Sequence, residues 1–127
     1  MRCVIVDDSP DFIDAARRLL EHDGITVVGV ASTTAEALRC VDELQPDVTL
    51  VDVNLGRESG FELAEQLHRS ERPSPSPVIL ISTHDAQDFA DMIATSPAIG
   101  FLGKIDLTSD AIRELVEGVP TLVEGDG

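Results

Sequence analysis

Five short runs of aliphatic residues, none alternating with polar ones, are spread along the chain at residues 3–6, 25–31, 48–51, 78–81 and 99–102, with stretches of helical spacing after each. A strand with one wet face alternates apolar and polar side chains. Runs without alternation instead predict strands covered on both faces, as in a parallel sheet held between two layers of helices. A β-α unit repeated five times is an α/β domain.

The intervening segments carry helix start and stop signals. The first helix is expected from Pro10, capped by Ser9, with Phe12, Ala16, Leu19 and Leu20 as its apolar stripe and its end before Gly24. Thr33 and Glu36 stand three apart, the spacing of a capping box, ahead of Leu38, Val41 and Leu44, and Pro46 stops that helix. Ser59 and Glu62 repeat the device before Phe61, Ala64 and Leu67. A fourth helix is expected near Asp85 with Phe89, Met92 and Ile93 on one face, and a fifth near Ser109 with Ile112, Leu115 and Val116. Residues 69–77 hold three prolines and three serines and read as a long surface loop.

The length of 127 residues suits one core-forming domain, expected over residues 1–119, with residues 120–127 a flexible tail. No stretch approaches the roughly 18 apolar residues of a membrane span, and the N-terminus lacks the apolar core and small-residue cleavage site of a signal peptide. A cytoplasmic protein is expected. The formal net charge of −15 opposes binding to nucleic acid and to anionic membranes. Cys3 and Cys40 have no metal-type spacing and read as small apolar residues, while His22, His68 and His84 lie near helix ends without a second ligand at metal spacing.

In open α/β sheets, functional groups gather beyond the carboxyl ends of the strands. The first run closes on Asp7 and Asp8, the third on Asp52, the fourth on Ser82 and Thr83, and the fifth on Lys104, whereas the second closes without a charge. With strand order 2-1-3-4-5, that of flavodoxin-like doubly wound sheets, the four contributing strands are neighbours and the silent one lies at the edge. Two carboxylates about 5 Å apart repel by roughly 3 kcal/mol at an effective dielectric near 20. Lys104, the only lysine, cannot balance three of them. A hard divalent cation with oxygen ligands, Mg2+ or Mn2+, is the expected cofactor, and its habit of sharing carboxylate and phosphate oxygens points to phosphoryl chemistry.

Asp7-Asp8, Asp52 within Val-Asp-Val-Asn, Ser82 and Lys104 resemble, in order and spacing, the receiver domains of bacterial two-component response regulators, over nearly the whole chain. The resemblance implies that Asp52 accepts a phosphoryl group from a sensor histidine kinase or phosphotransfer protein. It implies that Asp8, Asp52 and the backbone carbonyl of Asn54 hold the cation, with Asp7 acting through a water. Lys104 would pair with the phosphoryl group, Ser82 would be the switch hydroxyl and Phe101 the switch aromatic. Asn54 and His84 would flank the path of attacking water and tune the phosphoryl lifetime. The switched surface would be that of the fourth helix, fifth strand and fifth helix, open to an output partner or to a second copy of the chain. Family members usually carry proline after the lysine. Here Ile105 stands there, which puts the usual cis peptide in question and leaves a slight displacement of Lys104 open.

Each residue alone has a plainer reading: Asp7 and Asp8 as helix-capping acids, Asp52 as a turn residue, Lys104 as surface charge, Phe101 as packing. Their conjunction at one sheet end favours the receiver. The rivals are an aspartate-nucleophile phosphatase of the haloacid-dehalogenase type, a flavodoxin-like cofactor carrier, and a receiver-like interaction module without phosphorylation. The first wants an acid two residues after the nucleophile, where Asn54 stands, and the second wants phosphate donors after the first strand, where two aspartates stand. A signalling phosphoacceptor rather than an enzyme of external substrates is expected. No output module is recognisable in these residues, so a stand-alone receiver and a piece of a longer regulator are both open.

Overall fold

The computed structural model of the protein describes residues 1–69 and 77–118. The proline-rich loop and the C-terminal tail expected above lie outside the described residues. Five parallel strands, β1 (Arg2–Val6), β2 (Thr26–Ala31), β3 (Val48–Asp52), β4 (Val78–Ser82) and β5 (Gly100–Gly103), form one sheet in the order β2-β1-β3-β4-β5. This is the expected doubly wound order.

Successive residues of each central strand serve opposite layers. Val4, Val6, Val51 and Leu80 face α2 (Thr34–Leu44) and α3 (Gly60–His68), packing with Ala37, Val41, Ala64 and Leu67. Cys3, Ile5, Leu50 and Ile79 face the other way, with Ala16 and Leu20 of α1 (Pro10–His22) and Ile112 of α5 (Ser109–Glu117). Both sides of β1, β3 and β4 are therefore buried, which is why their sequences carry no polar alternation. The flanking strands are less covered: Val30 of β2 is exposed and all of β5 is half-buried.

Caps set the helix starts as expected. Ser9 accepts from Phe12 N, Thr33 from Glu36 N, and Ser59 from Phe61 N and Glu62 N. The reciprocal half of the second box goes elsewhere, because the Glu36 carboxylate accepts from Ser32 N and Oγ. That helix ends at Gln45 in the left-handed conformation, one residue ahead of Pro46. Leu19 is 41% exposed, so the α1 stripe is narrower than its periodicity suggests.

The largest departure is the fourth helix. A 3-10 turn (Ala86–Phe89) precedes a six-residue α4 (Ala90–Thr95), Asp85 makes no capping bond, and Met92 is 48% exposed. Phe89 is drawn toward Phe61 and Phe101, at centroid distances of 5.7 and 6.2 Å. With no cap to start a regular helix and one aromatic anchored sideways, the segment winds tightly first. A hairpin not foreseen from the sequence pairs Asn54–Leu55 with Glu58–Ser59 between β3 and α3. Among the described residues no helix is long and apolar enough to cross a membrane.

Candidate functional site

Four neighbouring strands deliver polar side chains to one end of the sheet. Asp7 and Asp8 follow β1, Asp52 and Ser82 close β3 and β4, and Lys104 follows β5 in a 3-10 turn (Lys104–Asp106). Carboxylate oxygens of Asp7, Asp8 and Asp52 lie within 4.8 Å of one another. Asp7 is fully buried and Asp52 nearly so, while Asp8 is exposed. On the α1 side the acidic pair borders an open crevice of about 290 Å³.

Each buried carboxylate is held by a local backbone donor as well as by the ammonium. Ser9 N donates to Asp7 Oδ1 at 2.8 Å, and Asn54 N donates to Asp52 Oδ1 at 3.0 Å. Lys104 Nζ lies 2.7 Å from Asp7 Oδ2 and 3.1 Å from Asp52 Oδ2, and it is the charge partner of an Asp7 oxygen otherwise left without a hydrogen bond. Burial raises the Asp52 pKa above the usual carboxylate range, with the charge of Asp7 adding to it, although the Asn54 amide and Lys104 pull the other way. Burial alone would lower the Lys104 pKa. Its bonds to Asp7 and Asp52 outweigh that and hold it above the ordinary lysine value.

Ile105 leaves the lysine in place. No cis peptide occurs among the described residues, so the Lys104–Ile105 bond is trans, and the ammonium still reaches both carboxylates. The Ile105 side chain stands 96% exposed beside it. Ser82 is buried, and its Oγ accepts from His84 N at 2.9 Å. The exposed Thr83 Oγ1 lies 3.5 Å from His84 Nδ1. His84 sits edge-on to Phe89 with centroids 6.1 Å apart, and Phe101 is already half-buried against the α2–α3 side of the core.

Residues 3–117 match the response regulator receiver domain family. The chain belongs to that family. Its solved relatives include the receiver domain of the response regulator NarL from Mycobacterium tuberculosis, 33% identical with a TM-score of 0.81, covering 92% of this chain and 96% of that one. The transcriptional regulatory protein YvfU of Bacillus subtilis is 32% identical over 122 residues, 93% of this chain and 60% of that protein. A protein-glutamate methylesterase/protein-glutamine glutaminase of Hahella chejuensis is 37% identical over 82 residues, 65% of this chain and 23% of that protein. The receiver spans 53–60% of the length of the transcriptional regulators it matches.

Four residues of this receiver's site escaped the reading of the sequence. Phe12 lies under the lysine, its ring centroid 4.4 Å from Nζ, where a stripe reading made it core alone. Gly60 lets the first turn of α3 press on the Asp52 carbonyl, for a Cβ there would fall 2.0 Å from that oxygen. Phe89 links His84, Phe61 and Phe101. Glu58 sits in the hairpin opposite Leu55. Only the hairpin had a signal, a two-residue loop led by glycine, and Gly56 does supply the positive φ of 67° that such loops need.

Proposed function

We propose that this receiver takes a phosphoryl group on Asp52 from the phosphohistidine of a sensor kinase or phosphotransfer protein, and that Asp8, Asp52 and the Asn54 carbonyl would hold Mg2+, with Asp7 acting through a water. The observation that carries the reading is charge: three converging carboxylates face one ammonium, leaving an excess of two negative charges that a divalent cation matches. When bound, the cation supplies charge neutralisation on the carboxylates and on the transferring oxygens.

The chain's own groups do the rest. Asn54 N and Lys104 hold the Asp52 carboxylate in one orientation for in-line attack. An oxygen–phosphorus bond forms as the bond from phosphorus to the donor nitrogen breaks, and the donor imidazole keeps that electron pair. Lys104 lies where it can stabilise charge on the transferred group. Ser82 Oγ, released from its role as acceptor for His84 N, would donate to a phosphoryl oxygen, drawing in the loop after β4 and moving Phe89 and Phe101 with it. The surface of α4, β5 and α5 would carry the change to an output partner.

Incubation with acetyl phosphate and Mg2+ followed by intact-mass measurement is the direct test. A single phosphoryl adduct is expected on the wild type, absent with chelator and absent from Asp52→Asn. Equal labelling of that variant would refute the assignment. The cation alone should also raise the melting temperature: at a hundredfold excess over its dissociation constant, linkage gives about 2.7 kcal/mol, or about 10 °C for a domain of this size. Calorimetric scans with and without Mg2+ read it, and Asp8→Ala should abolish the shift.

A further inference from the structure

A short hairpin, Asn54–Leu55 against Glu58–Ser59, follows Asp52. Asn54 lies on its first strand and pairs with Ser59, while Glu58 pairs with Leu55. The tip bends toward the acidic pair, so that a Cβ on Gly56 would stand 3.6 Å from Asp8 Oδ2. Just past the turn, on the second strand, Glu58 Oε1 accepts from Thr34 N at 2.6 Å across 24 residues of chain. Thr34 is the first residue of α2, and its N–H has no partner within the helix. A charge-assisted bond from a helix N-terminus thus tethers the short ribbon that carries Asn54.

We infer that Glu58 is a positioning residue for the cation site, fixing the hairpin that carries Asn54 beside the cluster of Asp7, Asp8 and Asp52. The inference rests on the cation-binding reading above. Near its base the ribbon is also held by Gly60 N to Val53 O at 2.9 Å, by Asn54 N to Asp52 Oδ1 and by the Ser59 Oγ cap on Phe61 N and Glu62 N, and Leu55 is buried in the core. None of these polar contacts reaches α2. A two-residue strand pair is not stable by itself, so its orientation follows from what it is tied to. Glu58 makes the tie to α2, and it does so without touching the cation or the phosphoryl group.

The role separates from mere negative charge by choice of variant. Glu58→Gln keeps an acceptor oxygen and drops the charge, Glu58→Ala drops both, and Thr34→Pro removes only the donor N–H. Proline is tolerated at a first helical position, and Thr33 before it is extended at φ −132° and ψ 163°, as a residue preceding proline should be. The measurement is Mg2+ titration by isothermal calorimetry on the full chain, with the metal-free melting temperature of each variant alongside. Wild type binds; Glu58→Ala and Thr34→Pro each bind about tenfold more weakly, the usual scale for losing a ligand-orienting partner, and their combination is no weaker than either alone. Glu58→Gln binds within about twofold of wild type. Wild-type affinity in Glu58→Ala and Thr34→Pro would overturn the inference while leaving the cation reading intact. Equal weakening by Gln and Ala would assign the effect to charge and overturn it too. A wild type that takes up no Mg2+ would overturn both.

Discussion

Replacing Lys104 by methionine is expected to unfold the metal-free receiver far more readily and to slow its labelling by acetyl phosphate. The side chain is largely buried, and Asp7 beneath it is fully so. Methionine keeps the packing against Phe12 and removes the only cation among the described residues that reaches both carboxylates. Stripping one partner from a buried ion pair costs about 3–5 kcal/mol, because the remaining charge keeps its desolvation penalty. Denaturant unfolding in chelator reads that loss, and Mg2+ should restore part of it. Labelling should fall on the order of 10²- to 10³-fold, the scale for losing one preorganised charge on a developing oxyanion. A variant as stable and as fast as wild type would show that Lys104 is a bystander.

The same group sets the pH profile. Both Asp52 and Lys104 have folded pKa values above their unfolded ones. A raised pKa means the folded state holds its proton more tightly. Each contribution is therefore complete below the unfolded value and is lost as pH climbs through the folded one. For Asp52 the loss begins above the ordinary aspartate value, and for Lys104 above the ordinary lysine value. Metal-free stability from this site should fall as pH climbs above the ordinary aspartate value, and fall again in strong alkali. In Lys104→Met the alkaline step disappears and the acid step grows, since Asp52 has lost the ammonium that opposed its rise. An acid step of unchanged size in the variant would contradict this.

Gly60→Ala is expected to be the most damaging single methyl group in the domain. The added carbon would meet the Asp52 carbonyl carbon and the Val53 Cα at 2.8 Å, and the Asp52 oxygen closer still. All three are backbone atoms, so no rotamer change relieves the clash. Overpacking of this kind costs about 3 kcal/mol or more, equivalent to a fall of about 12 °C in melting temperature for a domain near this size. To accommodate the methyl group, α3 must lift away from the end of β3, taking with it the strand end that presents Asp52. Mg2+ affinity should fall along with stability. A melting temperature within about 3 °C of wild type would mean that this junction has slack.

How much of this was legible beforehand follows from the range of the interactions. The strands were visible because burial on both faces leaves an unbroken aliphatic run, and the site was visible because each run stops at its polar residue. Asp7, Asp8, Asp52, Ser82 and Lys104 needed only the strand order to be brought together. Contacts chosen by tertiary packing left no mark. Nothing local announces that Phe12 lies beneath the lysine or that Glu58 reaches the start of α2. The fourth helix was misjudged for the same reason: its residues suit a helix, and the pull of Phe61 and Phe101 on Phe89 decides how it begins.

The six-residue α4 has no fully buried side chain, with Ile93 half-buried against the core, whereas α3 is wedged by Gly60 against the strand end that bears Asp52. Compliance in this molecule is therefore lopsided. Thermal opening should be cheapest around α4, whose amides ought to exchange with solvent deuterium long before those of α3. A signal born at the strand ends has a stiff wall on one flank and a soft one on the other, and it will leave by the soft side.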